Sequence, residues 1–293
     1  MRFTIKPPLP FELSLVVTSH GWYGLPPFSW DPHAAAFRFS FELEPGLGVT
    51  VALAQSGAAI RGRADATAPL TAAHRKRIVA TAKHCLRLDE DFAEFYELAR
   101  GDDRIGWVCE RGAGRILRSP SMFDDLLKIL STTNCSWALT KSMVGRLVDT
   151  CGAVAPGGKA FPSARALARR RVPFFRNTIR AGYRAGHFAR LARATATGAL
   201  DPDAWPAATD VVALRKDLLA LPGIGPYAAA HLLRLSGHYD DPGIDSWVRA
   251  KFQRIYGLRR PPVDAKIVAR YRRFGRWLGL ALWMDMTRDW HCD

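Results

Sequence analysis

Residues 221–252 read LPGIGPYAAAHLLRLSGHYDDPGIDSWVRAKF, and three features of them bear on chemistry. Asp245, eighteen residues after Tyr227, is a lone carboxylate, the group that stabilises positive charge in a transition state or orients and deprotonates a water. Its place before SWVRAKFQRIY also makes it a helix cap, a role that needs only its side-chain oxygen. Gly223 and Gly225 flank Ile224; glycines there permit a positive φ and close approach of a ligand. Pro226 in the first turn starts a helix whose free amides suit a phosphate. A glycine-bounded turn is as readily a packing device, so this stretch alone leaves both readings open.

The elements that must position these residues are legible in outline. VVALRKDLLAL ends a helix near Leu221 and PYAAAHLLRLSG begins the next, so residues 211–236 predict a tight helical hairpin. From Phe3 to about Arg63 the segments FTIK, FELSLVV, AFRFSFEL, GVTVALAQ and AAIRGR alternate and are broken by Pro, Gly, Ser and Asp, which predicts strands. From Thr71 the period is about 3.6, as in TAAHRKRIVATAKHCL, EDFAEFYELA, SMFDDLLKILSTT, SWALTKSMVGRLVDTC and GHFARLARATAT. Strands first and helices afterwards predict an α+β architecture: an antiparallel sheet over residues 1–70, then a mostly helical part over 71–293. Residues 152–162 and 198–206 look like linkers, and a crevice between helical lobes is a natural ligand site.

Composition narrows the partner. The chain has 293 residues, a net charge of +15, and a one-sign run from Lys159 to Arg193 with nine arginines and no acid until Asp201. Such an excess favours a polyanion, nucleic acid before membrane. The sequence has no apolar run near the roughly 20 residues of a membrane span and no signal-peptide layout, so a cytoplasmic protein is expected, nucleoid-associated if bacterial. Five scattered cysteines, Cys85, Cys109, Cys135, Cys151 and Cys292, form no CxxC pair; neither a zinc site, a disulfide framework nor an iron-sulfur cluster is expected. SHGWYGLPPFSW carries Trp22, Tyr23, Phe28 and Trp30, aromatics that either line a base-sized pocket or anchor a sheet to helices. Asp285, Arg288 and Asp289 either pair structurally or rim the pocket.

LPGIG, a small-residue helix and Asp245 together resemble the helix-hairpin-helix and Gly/Pro-Asp motif of the DNA glycosylases. The pattern is similar to 8-oxoguanine DNA glycosylase in TTNCSWALTKSMVGRL, FPSARALA and AGYRAGHFARLARA, and to bacterial 3-methyladenine DNA glycosylase II in IDSWVRAKF. It covers roughly residues 85–255. The resemblance implies a base-excision enzyme that binds double-stranded DNA containing a modified base, most simply as a monomer, and flips that base out of the stack. It makes Asp245 the catalytic carboxylate. By the same match the amides of Gly223, Gly225 and Ala228 bind backbone phosphate, and the carbonyls of Leu219, Leu221 and Ile224 hold a monovalent cation, Na⁺ or K⁺; no other cofactor is required.

Asn134 and Tyr183 match the residues that fill the vacated base position, and Arg184 matches one that contacts the orphaned partner. Leu139 replaces a second such arginine, which argues against a strict requirement for cytosine opposite the lesion. Tyr227 occupies the position of the Schiff-base lysine of strand-cleaving members, and a phenol cannot do that chemistry. Lys216 and Lys251 are near in sequence but off the motif position. The resemblance therefore implies a monofunctional glycosylase for an oxidised or alkylated purine, with Tyr227, Trp247 and Trp22 in the pocket. A modified or mismatched pyrimidine, or DNA binding without catalysis, remains as an alternative.

Overall fold

The computed structural model describes residues 1–292. Five antiparallel strands, β1 (Arg2–Ile5), β2 (Phe28–Asp31), β3 (Ala36–Glu44), β4 (Leu47–Ser56) and β5 (Ala59–Ala66), form a sheet in the order β1-β5-β4-β3-β2. Alternation sets its faces: Phe37, Phe39 and Phe41 of β3 are buried while Arg38 is exposed, and Phe37 and Phe39 stand opposite Leu53 and Val51 of β4.

FELSLVV, read as a strand, is instead the short helix α1 (Leu13–Val17). Leu13, Leu15, Val16 and Val17 are all buried, so there is no solvent face for a strand to alternate with. Pro7, Pro8 and Pro10 just before it cannot donate to a ladder, and the Gln55 side chain takes the Leu13 amide at 2.7 Å. Strand β2 lies in the aromatic phrase that the alternation pattern passed over.

The helical part comprises α2 (Ala72–Cys85), α3 (Ala93–Ala99), α4 (Trp107–Arg111), α5 (Met122–Thr132), α6 (Trp137–Cys151), α7 (Ala164–Ala168), α8 (Val172–Asn177), α9 (Ala185–Ala196), α10 (Val211–Ala220), α11 (Pro226–Ser236), α12 (Ser246–Ile255), α13 (Asp264–Tyr271) and α14 (Leu278–Met286). Residues 152–162, read as a linker, hold a small hairpin, β6 (Val154–Ala155) and β7 (Gly158–Lys159), clipped to the sheet by the Gly157 amide donating to Thr50 Oγ1 at 2.9 Å. Among the described residues no helix is long and apolar enough to cross a membrane.

One core runs unbroken from the sheet into the helices. At its centre α5 is buried over ten residues, including the ionisable Asp124, Asp125 and Lys128. The Lys128 ammonium donates to Ser119 Oγ at 2.8 Å and lies 3.9 Å from the centre of the Phe28 ring of β2. Asp125 accepts from Trp22 Nε1 at 2.7 Å and from the Ser119 amide at 3.1 Å. Burial lowers the Lys128 pKa and raises that of Asp125, each opposed by the charge of the other. Removing one partner strands a charge, so Lys128→Met should lower unfolding free energy by about 3 kcal/mol or more in chemical denaturation.

Candidate active site

Helices α10 and α11 pack against each other across the sequence LPGIG, so the hairpin is built as its residues require. Gly223 has φ 84°, and a side-chain carbon there would fall 2.8 Å from both His187 and Leu130. Gly225 is exposed and starts α11 without any side-chain cap, which leaves the first-turn amides open to a ligand. The side chain of Ala228 is buried, and Ile224 is buried beneath the turn.

Asp245 caps α12: its Oδ1 accepts from the Val248 amide at 2.7 Å. The loop that delivers it is tied to the hairpin. Asp241 accepts from Arg215 Nε of α10 at 2.7 Å through one carboxylate oxygen and from the Gly243 amide at 2.9 Å through the other. Gly243, at φ 59°, passes so close to α11 that a side-chain carbon would lie 3.2 Å from Ala230 and from the Arg234 guanidinium. The Asp245 carboxylate is consequently near enough to Tyr227 to oppose ionisation of its phenol, whose pKa burial already raises.

From Tyr227 a wall of aromatic rings extends outward. Tyr227 and His231, one turn apart on α11, have ring centres 4.4 Å apart; His231 lies 5.7 Å from Trp283 of α14. Trp247 and Trp290 each lie about 6 Å from Trp283 and from one another, and both are substantially exposed. Arg234 is buried, with its guanidinium 4.9 Å from the Trp283 ring centre, and burial lowers its pKa to about 10. Its Nη1 donates to His231 Nδ1 at 3.3 Å. An arginine only donates, so Nδ1 accepts and the neutral ring carries its proton on Nε2. Burial, then Arg234 and His20, hold the His231 pKa well below its ordinary value.

Tyr227 and Trp247 therefore come together with Asp245, and Trp22 does not join them with an open face. Trp22 is 3% exposed, its indole bonded to Asp125 and its ring 4.8 Å from His20. Phe28 is likewise enclosed, under Lys128. The expectation of Trp22 as a pocket residue is corrected: of the two readings of this phrase, Trp22 and Phe28 take the anchoring one and seal the sheet against α5. His231, Arg234, Trp283 and Trp290 were passed over in the sequence. His231 and Arg234 follow Tyr227 at i+4 and i+7, a spacing that places them on its helix face. The charges of GLALWMDMTRDW are tied down within the fold: Asp285 is buried and accepts from Arg104 at 2.8 Å and from Tyr256 and Tyr271, Asp289 accepts from Lys251 at 2.5 Å, and Arg288 donates to the Asp103 carbonyl.

Asn134 and Tyr183, 49 residues apart, meet at the surface. Asn134 is in the left-handed region, with φ 44°, and Ser136 rather than Asn134 caps α6. The Tyr183 hydroxyl lies 3.5 Å from Asn134 Nδ2, and the ring is 59% exposed. Beneath it Arg184 is buried, 4.4 Å from the Tyr183 ring centre, donating from Nε to Thr133 Oγ1 while Nη2 has no protein partner. Leu139 is exposed nearby in sequence. Of the nine arginines between Lys159 and Arg193 all except Arg184 are exposed, and none makes an ion pair among the described residues.

The fold matches solved structures. The 3-methyladenine DNA glycosylase of Archaeoglobus fulgidus superposes with a TM-score of 0.77 at 19% identity, over 99% of this chain and 98% of that one. The Clostridium acetobutylicum 8-oxoguanine glycosylase/lyase, solved with DNA containing cytosine opposite 8-oxoguanine, gives 0.73 at 18% identity over the same shares. This is a DNA glycosylase fold. The 3-methyladenine DNA glycosylase of Schizosaccharomyces pombe, bound to abasic DNA, matches 69% of the chain with a TM-score of 0.54 at 16% identity. No protein-family model and no curated protein sequence matches the chain.

His20, beside the site and 9% exposed, is kept neutral by burial, which lowers its pKa to about 3. Below pH 6.5 the unfolded chain takes up a proton that the folded chain refuses, so stability falls as pH falls. Relative to His20→Asn, the wild type should lose about 1.4 kcal/mol per pH unit between roughly pH 6 and 4 in denaturant titrations.

Proposed function

We propose that the protein is a monofunctional DNA glycosylase that extrudes a modified purine, oxidised or alkylated, and hydrolyses its N-glycosidic bond to leave an abasic site. The observation that carries this reading is the Asp245 carboxylate, held by the Val248 amide at the end of a loop braced through Asp241 and Gly243, beside Tyr227 where a hairpin and an aromatic wall converge. The open amides at Gly223, Gly225 and Ala228 would grip a backbone phosphate. Asn134 and Tyr183 would fill the vacated stack, and by the same match Arg184 would contact the orphaned base.

In this mechanism the extruded base packs against Trp247, Trp290, Trp283 and Tyr227, and the His231 Nε2–H is a donor for an acceptor on its edge. As the bond breaks, positive charge grows on the sugar and Asp245 stabilises it, with Oδ1 held by Val248, while orienting the attacking water. The nucleophile in this reading is that water rather than a lysine amine. Lys251 is buried and paired with Asp289, Lys128 is sealed in the core, and Tyr227 stands at the motif position. The carbonyls of Leu219, Leu221 and Ile224 are neutral oxygen donors suited to a monovalent cation. The Leu221 oxygen accepts one bond, from Ile224 at 3.2 Å, and keeps a second lone pair for an ion.

Asn caps a helix as well as Asp does, so Asp245→Asn separates chemistry from folding. It should slow base release from a lesion-bearing duplex at least about 100-fold while leaving DNA affinity intact. Full activity in that variant would overturn the mechanism. A panel of lesion-bearing duplexes read by mass spectrometry identifies the base. Borohydride should trap no covalent DNA adduct, and near-stoichiometric trapping would exclude the hydrolytic assignment.

A further inference from the structure

The outer face of the sheet carries an arginine-rich surface. A trough of about 740 Å³ runs across β1, β5, β4 and β3, and Arg2, Arg38, Arg61 and Arg63 rise from it. The ladder places these side chains on one face: Arg2 stands directly opposite Arg63, Arg63 opposite Ala52, and Ala52 opposite Arg38, while Arg61 stands between Thr4 and Ala54. The floor is therefore methyl-sized and the walls are guanidinium. A neighbouring depression of about 380 Å³ shares Arg38, Ala52 and Arg63 and extends the surface toward Gly157.

Like charges directly opposite on a sheet are destabilising, yet Arg2 and Arg63 face each other with exposed heads. The lining has one carboxylate, Asp65, which pairs with Arg63 at 3.0 Å; Arg2, Arg38 and Arg61 make no ion pair among the described residues. A polyanion would relieve that repulsion. No large exposed apolar side chain lines the trough, so it lacks the buried anchors with which protein partners are held. Its one ring, Phe3, is only partly exposed and lies against Gly62. Cations at strand spacing over a smooth floor suit a sugar-phosphate backbone read without sequence.

We infer that this face is a second DNA-binding surface, contacting the phosphate backbone of duplex outside the segment engaged by the hairpin. The inference takes DNA as the polyanion from the proposed function, but none of its residues belongs to the candidate active site.

The double variant Arg38→Ser/Arg61→Ser tests it on a long undamaged duplex. Loss of two phosphate contacts should reduce the slope of log affinity against log salt by about 1.8. Asp65→Asn should instead tighten binding. Single-turnover base release from a short lesion-bearing duplex should be unchanged in both variants, and thermal unfolding should confirm that both are folded. An unaltered salt slope with folded protein would overturn the inference, as would loss of poly-glutamate binding with DNA binding unmoved, which would reassign the face to an acidic polypeptide. If the slope falls while the wild type releases no base from any lesion, the surface stands and the catalytic reading fails.

Discussion

The molecule is organised around charge that has been taken out of water. Helix α5 has no solvent face, and yet it carries Asp125 and Lys128 into the centre of the protein, where Ser119 serves both: its amide donates to the carboxylate and its hydroxyl accepts from the ammonium. Trp22 and Phe28 complete the arrangement from the N-terminal segment. An apolar sheet could slide on an apolar helix at little cost. An indole N–H that must find Asp125, and a ring that must lie under Lys128, fix one docking geometry. The aromatic wall inherits that fixity, because the Trp283 indole donates to the Ser19 carbonyl, in the same N-terminal segment.

The hairpin and the Asp245 carboxylate are coupled through a short chain of contacts. Arg215 on the first hairpin helix holds Asp241, Asp241 holds Gly243, and Gly243 lies against the second hairpin helix one residue before Ile244 leads into Asp245. Tyr227 and the neutral His231 then present α11 to the same space. A phosphate held at the hairpin amides and a sugar facing Asp245 would thus be referred to one rigid frame rather than to two loops.

Much of this was legible in the sequence. The hairpin, the α12 cap and the long helices follow from glycine, proline and capping residues at fixed offsets, which act locally. Strands β3, β4 and β5 follow from alternation. The misses arise where local pattern is uninformative or where contacts distant in sequence decide. FELSLVV alternates but is buried all round, so its pattern carries no information about period; β2 is too short to show one. Trp22 and Trp283 are both tryptophans beside glycine or leucine, and only the partner 103 residues away at Asp125 makes the first a sealed core residue. The charged cluster at Asp285 likewise draws on Arg104, Tyr256 and Tyr271 from three other segments.

The arginines on the outer sheet face also act as a lock on strand alignment. Side chains alternate with a period of two, so a one-residue slip of β5 against its neighbours would turn Arg61 and Arg63 toward the phenylalanines of the core and bring Ile60 into water. Guanidinium groups cannot be neutralised there at any physiological pH. Whatever else the row of arginines contacts, it makes the misaligned sheet far costlier than the native one, and so keeps a surface rich in alanine, with little shape of its own, in a single register.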